Sequence, residues 1–148
     1  MASIPHREHR AIDFPSRGSN NPRMARPDAV RRVKSYSAAN GFVYQYFFFE
    51  VNRIADEHGL AGEFIYAVSS DRKSTFGLRI LVRQAALRAW AETNGRPLTS
   101  SEEYAVAKMR LFQAFDDGAV PPNSEASTDL TFLVDESNLE SLLQSLHI

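Results

Sequence analysis

Residues 40–53, NGFVYQYFFFEVNR, hold more large apolar and aromatic side chains than any other strand-length run in the chain. Aromatic and β-branched residues fit a pleated, half-buried surface, so this run is expected to be the central strand of a sheet. Alternation sorts it into two rows. Val43, Gln45, Phe47, Phe49 and Val51 form one, mostly carbon, which is expected to face the main core. Phe42, Tyr44, Tyr46, Phe48, Glu50 and Asn52 form the other, which carries two phenol hydroxyls, a carboxylate and an amide. Tyrosine suits a surface that is apolar but partly wet. The second row therefore offers Tyr44, Tyr46 and Phe48 as a candidate surface for a protein partner or a second copy of the chain.

Downstream, residues 54–62 read as a connection, and 63–69 (EFIYAVS) and 75–82 (TFGLRILV) as two further strands joined by a polar hairpin, Ser70-Asp71-Arg72-Lys73-Ser74. Phe76, Leu78, Ile80 and Val82 make a continuous apolar row. Arg79 breaks the opposite row, so it is expected to point away from the core or to meet Glu50 or Glu63 across the sheet.

Two helices are expected next. Residues 83–94 place Ala86, Leu87, Ala89 and Trp90 on one side and stop at Asn94-Gly95, with Pro97 beyond. Thr99-Ser100-Ser101-Glu102 has the spacing of a capping box, and the helix it opens runs to about residue 115. Tyr104, Ala105, Met109, Leu111, Phe112 and Phe115 share one arc of that helix, which suits it to cover the sheet. Lys108 falls inside the same arc. Its stem can snorkel out along apolar neighbours, but held inward it needs an acidic partner or a bound anion.

Residues 116–128 (DDGAVPPNSEAST) read as a linker-like loop, broken by Gly118 and Pro121-Pro122. A strand at 130–134 (LTFLV) and a helix opened by Ser137-x-x-Glu140, with Leu139, Leu142, Leu143 and Leu146 on one stripe, complete a terminal strand-helix unit.

Upstream of the central strand, Ala29, Val33 and Tyr36 stand at helical spacing, with Arg31, Arg32 and Lys34 opposite. A short basic amphipathic helix is expected over 28–39, stopped by Asn40-Gly41. Residues 1–27 carry Pro5, Pro15, Pro22 and Pro27 and too little apolar surface to fold alone. They read as a basic arm, with Phe14 the best anchor. The fold class expected is therefore α+β, a single domain over 28–148, with an antiparallel sheet of three to four strands covered by helices on one face. The order is α-β-β-β-α-α-β-α.

Net charge is −1 over 148 residues, but it is unevenly spread: residues 1–40 carry +5 and the rest −6. A basic arm on an acidic body suits a polyanion or an acidic docking surface. Arg23, Arg26, Arg31, Arg32 and Lys34 are the candidate nucleic-acid contacts. The run NGFVYQYF departs from the aromatic RNA-recognition pattern, since it lacks the leading Lys or Arg and has Val43 where a small residue belongs. The chain has no cysteine, which removes disulfides, thiolate metal sites and a cysteine nucleophile. A charged N-terminus without an apolar core, and no run approaching ~20 apolar residues, predict a cytoplasmic protein with no membrane span.

Motifs for chemistry are few. There is no glycine-rich phosphate loop, nucleophile elbow or paired-histidine zinc helix. His6 and His9 lack a third ligand. His58, beside Asp56 and Glu57, has the residue types of a general base and its orienting acid but no marked nucleophile. The acids Glu102 and Glu103, adjacent at a helix start, point in different directions. Arg72 and Lys73 in the hairpin loop, with Lys108, form the candidate anion site. No cofactor is expected. The function expected first is a non-enzymatic interaction protein, self-associating or docking a protein partner through the aromatic sheet face. A nucleic-acid-binding protein using the arm is the alternative, and a small-ligand binder or enzyme around Lys108, His58 or Arg79 comes third.

Overall fold

The computed structural model describes residues 32–121 and 130–148. The arm, with Arg23, Arg26 and Arg31, lies outside the described residues, as do His6, His9 and most of the linker-like loop. Among the described residues the order is β1 (Lys34–Ser37), β2 (Val43–Asp56), β3 (Gly59–Ser69), β4 (Phe76–Arg83), α1 (Gln84–Asn94), α2 (Ser100–Asp116), β5 (Leu130–Val134) and α3 (Leu139–Ser145). The five strands form one curled sheet in sequence order. β1 to β4 are antiparallel neighbours, whereas β5 lies parallel to β4 after the α1–α2 crossover.

This corrects the expected architecture in three ways. The first is the strand count, since Lys34–Ser37 is an edge strand where a helix was expected. Helical spacing is overridden at Tyr36 because β2 offers an open edge and Tyr36 finds a ring to lie on. It stacks on Phe112 of α2 at 4.2 Å, with planes 7° apart. Asn40-Gly41 does use a left-handed glycine, with Gly41 at φ 96, but it turns β1 into β2 instead of ending a helix. Second, the expected 54–62 connection is mostly strand. β2 and β3 run on to a tight turn at Glu57-His58, where Asp56 accepts the His58 amide at 2.8 Å and Gly59 takes φ 109. Third, the sheet is mixed, because the last strand joins β4 in parallel.

The core face is also the reverse of the expected one. Tyr44 is fully buried while its neighbour Val43 remains 42% exposed. The tyrosine row turns toward the helices because α2 brings rings to meet it. Tyr44 stacks on Phe115 at 4.2 Å, Tyr46 meets Phe112 edge-on at 5.6 Å, and Phe48 meets Tyr104 edge-on at 5.1 Å. Such pairs add about 0.5–1.5 kcal/mol each beyond their buried area. The polar end of Tyr44 finds an acceptor, its hydroxyl donating to the Val120 carbonyl at 2.7 Å. Tyr66, Val68, Leu78, Ile80, Val82 and Val134 continue this face, closed by Leu87, Val106, Leu111 and the α3 leucines.

A β-bulge decides what lies at the far end of β2. Register passes from Phe48↔Tyr66 to Glu50↔Ile65, leaving Phe49 as the extra residue. Beyond it the alternation is inverted, so Val51 and Arg53 join the helix-covered face, opposite Phe64 and Gly62. Glu50 and Asn52 move to the second face, beside Ile65 and Glu63.

Candidate functional site

The bulge creates a cavity at the open end of the core layer. Val51, Arg53, Gly62, Phe64 and Val82 of the sheet face Gln84 and Leu87 of α1 and Ser100 and Glu103 of α2 across a space of about 270 Å³, with Asn52 on its rim. Gly62 helps keep it open, since a Cβ there would stand 3.3 Å from the Phe64 ring. Volumes near this size, with an apolar floor and a few converging polar groups, suit a small ligand.

Glu103 is set there by the capping box of α2. The Thr99 hydroxyl accepts the Glu102 amide at 3.1 Å, and Glu102 in turn accepts the Thr99 amide at 2.9 Å. Glu102 also pairs with Arg96 at 2.9 Å, and these contacts hold its carboxyl down at about 2. Glu103, one residue on, turns into the cavity. Burial raises its carboxyl above the ordinary glutamate range, opposed by the charge of Arg53, with which it forms no ion pair among the described residues. A guanidinium and a carboxyl thus face one cavity without closing on each other.

A larger, more open cleft of about 450 Å³ lies where the parallel strands β4 and β5 end, lined by His58, Arg83, Ala85, Ala86, Leu133, Asp135, Glu136 and Ser137. Its Arg83 and Asp135 already have partners. Arg83 donates to both oxygens of Asp56, at 2.8 and 2.9 Å, which draws that carboxyl to about 2. Asp135 accepts from the Ser137 amide and hydroxyl at 2.9 and 2.6 Å. The His58 ring is exposed and reaches only Glu57, at 3.6 Å. No serine or threonine donates to it among the described residues, so a base–nucleophile pair is not assembled here.

On the second sheet face four strands share a polar network. Arg79 of β4 meets Glu63 of β3 at 2.8 Å, as one of the two sequence expectations had it. The Asn52 amide donates to Glu63 at 3.1 Å and to Glu50 at 3.3 Å, and Arg79 reaches the Thr131 hydroxyl of β5 at 3.1 Å. Glu63 is 2% exposed, and its oxygens are occupied by these donors. The network reads as structural.

The other residues singled out from the sequence are dispersed. Tyr44 and Tyr46 are core and Phe48 is half-buried beneath Tyr104, so these rings are covered by α2 and not presented to a partner. Arg72 and Lys73 stay on the β3–β4 turn, whose amides are taken by Asp71, which accepts from the Lys73 and Ser74 amides at 2.8 and 2.9 Å. Lys108 is half-buried on α2 and has Lys34, not Arg72 or Lys73, as its neighbouring cation. Arg32 and Lys34 are exposed. Sequence reasoning missed Arg53 as a cavity residue because the bulge that turns it inward leaves no mark in the alternation. Glu103 had a usable signal: once Glu102 is assigned to the cap, its neighbour must point elsewhere.

Among the described residues no three His, Cys, Asp or Glu side chains stand close enough to hold a metal ion, and no helix is long and apolar enough to cross a membrane. Fold and cavity together define an α+β domain with a curled, mostly antiparallel five-stranded sheet and a small mixed-charge pocket at one end of its helix-covered face. Beyond that class, no family model, curated protein or solved structure matches the chain.

Proposed function

We propose that this is a non-enzymatic binding protein for a small zwitterion with an apolar side group, held in the cavity between β2, β3 and the starts of α1 and α2. The single observation that carries the reading is the half-buried Glu103 carboxyl, which shares its cavity with Arg53 but is not paired with it. An isolated carboxylate in a poorly solvated pocket is costly unless a cation or donor meets it. A molecule with a cationic end for Glu103, an anionic end for Arg53 and a carbon body for Phe64, Val82 and Leu87 completes all three walls. Gln84, Asn52 and Ser100 supply neutral hydrogen-bonding groups on the rim. Ligand binding stands ahead of protein docking by the aromatic strand, because the rings meant to dock are packed under α2.

The test is a thermal-shift and calorimetric panel of free amino acids with apolar side chains, against their N-acetyl and amide derivatives. Binding is expected for species carrying both charges and is expected to weaken at least tenfold in Glu103→Gln and in Arg53→Met. No binding by any zwitterion at millimolar concentration, or binding indifferent to both substitutions, overturns the reading.

A further inference from the structure

The seam where β1 and β2 meet α2 collects ammonium and phenol groups. Lys34 stands opposite Tyr46 in the β1–β2 register, and Tyr36 opposite Tyr44, so all four project toward α2. Tyr36 and Tyr46 both lie against Phe112. One helical turn before Phe112 comes Lys108, and one turn earlier Tyr104, with the Lys108 ammonium 5.9 Å from the Tyr104 ring centre. Tyr104 rests on Phe48, and Tyr46 meets Tyr66 edge-on at 6.5 Å. Two ammonium groups, Lys34 and Lys108, therefore stand at the rim, and three phenols, Tyr104, Tyr46 and Tyr66, lead inward from it.

The innermost phenol is the telling one. Tyr66 is fully buried, and its hydroxyl has no hydrogen-bond partner among the described residues. By contrast Tyr36 donates to Asp116 and Tyr44 to Val120, so the fold supplies acceptors to the phenols on either side. A buried hydroxyl without a partner costs about 1–3 kcal/mol, and two ammonium groups brought together repel. Burial and then Lys34 hold Lys108 below the ordinary lysine range, and no acid among the described residues offsets them. The phenol protons are themselves hard to remove, because burial and mutual proximity raise Tyr46 and Tyr66. These three hydroxyls remain donors at any physiological pH.

We propose that this seam is a binding site for a phosphate-type oxyanion, with Lys34 and Lys108 matching its charge and Tyr104, Tyr46 and Tyr66 donating to its oxygens. A doubly charged oxyanion balances the two ammonium groups, and its several acceptor oxygens answer five groups that can each donate. The site differs from the sequence expectation in its members, since Lys34 replaces Arg72 and Lys73 as the second cation. It is independent of the Arg53–Glu103 cavity and stands or falls without it.

The experiment is titration of the full chain with inorganic phosphate and with glycerol phosphate, read by calorimetry and melting temperature against sodium chloride at matched ionic strength. Wild type is expected to bind one or both phosphates in the micromolar to millimolar range, with a rise in melting temperature beyond the salt control. Binding is expected to fall at least tenfold in Lys108→Met and Lys34→Met and about fivefold in Tyr66→Phe, and to be unchanged in Lys73→Met, on the distant β3–β4 turn. Tyr66→Phe removes only an unpartnered hydroxyl, so it should fold at least as stably as wild type and keeps the test free of folding defects. A stronger response to glycerol phosphate supports the site and identifies its ligand as a phosphoryl group on a larger molecule. Neither phosphate exceeding the salt control, or equal binding by wild type and both lysine variants, overturns the proposal.

Discussion

The Tyr36 hydroxyl donates to a carboxylate oxygen of Asp116 at 2.7 Å, tying the edge strand β1 to the last residue of α2 across 80 positions of sequence. The other oxygen of Asp116 accepts the Ala39 amide at 2.9 Å, so one side chain fastens both the strand and the turn after it. This contact pushes the Tyr36 phenol up to about 12, through burial first and then its bond to Asp116. Tyr36→Phe is expected to lower stability by about 1–2 kcal/mol at neutral pH, near the lower end for a hydrogen bond to a charged group. Because the folded pKa lies above the unfolded one, the stability linked to this group is intact below pH 10 and lost as pH rises toward 12. Urea melts at pH 8 and pH 11 should show the wild-type advantage over Tyr36→Phe shrinking at the higher pH.

Deleting Phe49 should remove the bulge and keep the faces beyond it, because Glu50 then follows Phe48 directly and still stands opposite Ile65. Glu50 and Asn52 stay on the second face, and Val51 and Arg53 stay on the helix-covered one. The deletion variant is therefore expected to keep a cooperative thermal transition, as is Phe49→Ala. Circular dichroism melts of both proteins check this, and loss of the transition in the deletion variant alone would count against this register.

Arg79→Met leaves Glu63 buried with only the Asn52 amide to meet its charge. Removing one partner of a buried pair costs about 3–5 kcal/mol, whereas replacing both is often close to neutral. The double variant Glu63→Gln, Arg79→Met is therefore expected to be more stable than Arg79→Met alone. A denaturation cycle over the four proteins measures the coupling, and strict additivity would count against the pairing.

Glu103→Gln should stabilise the free protein at neutral pH, since it removes a carboxylate that burial disfavours. With the folded pKa raised, that penalty is absent below the ordinary glutamate range and grows as pH rises through the folded value. Melting temperatures of variant and wild type are expected to converge at acid pH and to separate near pH 7.

Asp56 and Glu102 have the opposite sign. Arg83 and Arg96 hold both carboxyls at about 2, so the stability they contribute is present above the ordinary carboxylate range and lost as pH falls toward 2. Both pairs are partly open to solvent, and screening keeps the effect small. Asp56→Asn is expected to flatten the acid limb of the melting profile, and added salt to flatten it further.

Much of the secondary structure could be read from residues close in sequence. The strand at 130–134, the α2 capping box, the Asn94-Gly95 stop of α1 and the leucine stripe of α3 depend on alternation, helical period and local hydrogen bonds. The candidate site was legible only in fragments. Lys108 and Arg79 stood out as charges in apolar rows, whereas Glu103 was passed over beside the capping Glu102.

By itself the sequence determined the places of β3, β4 and β5 and of the three helices, because those choices are made within a few residues. Only the tertiary structure decided which face of β2 is core, because both rows are apolar enough and the choice fell to the rings of α2. It also decided that Lys34–Ser37 is a strand, since four residues at a sheet edge take their conformation from the partner strand. And it decided that Arg53 faces Glu103 while Glu50 does not, because a single extra residue at Phe49 inverts the alternation beyond it.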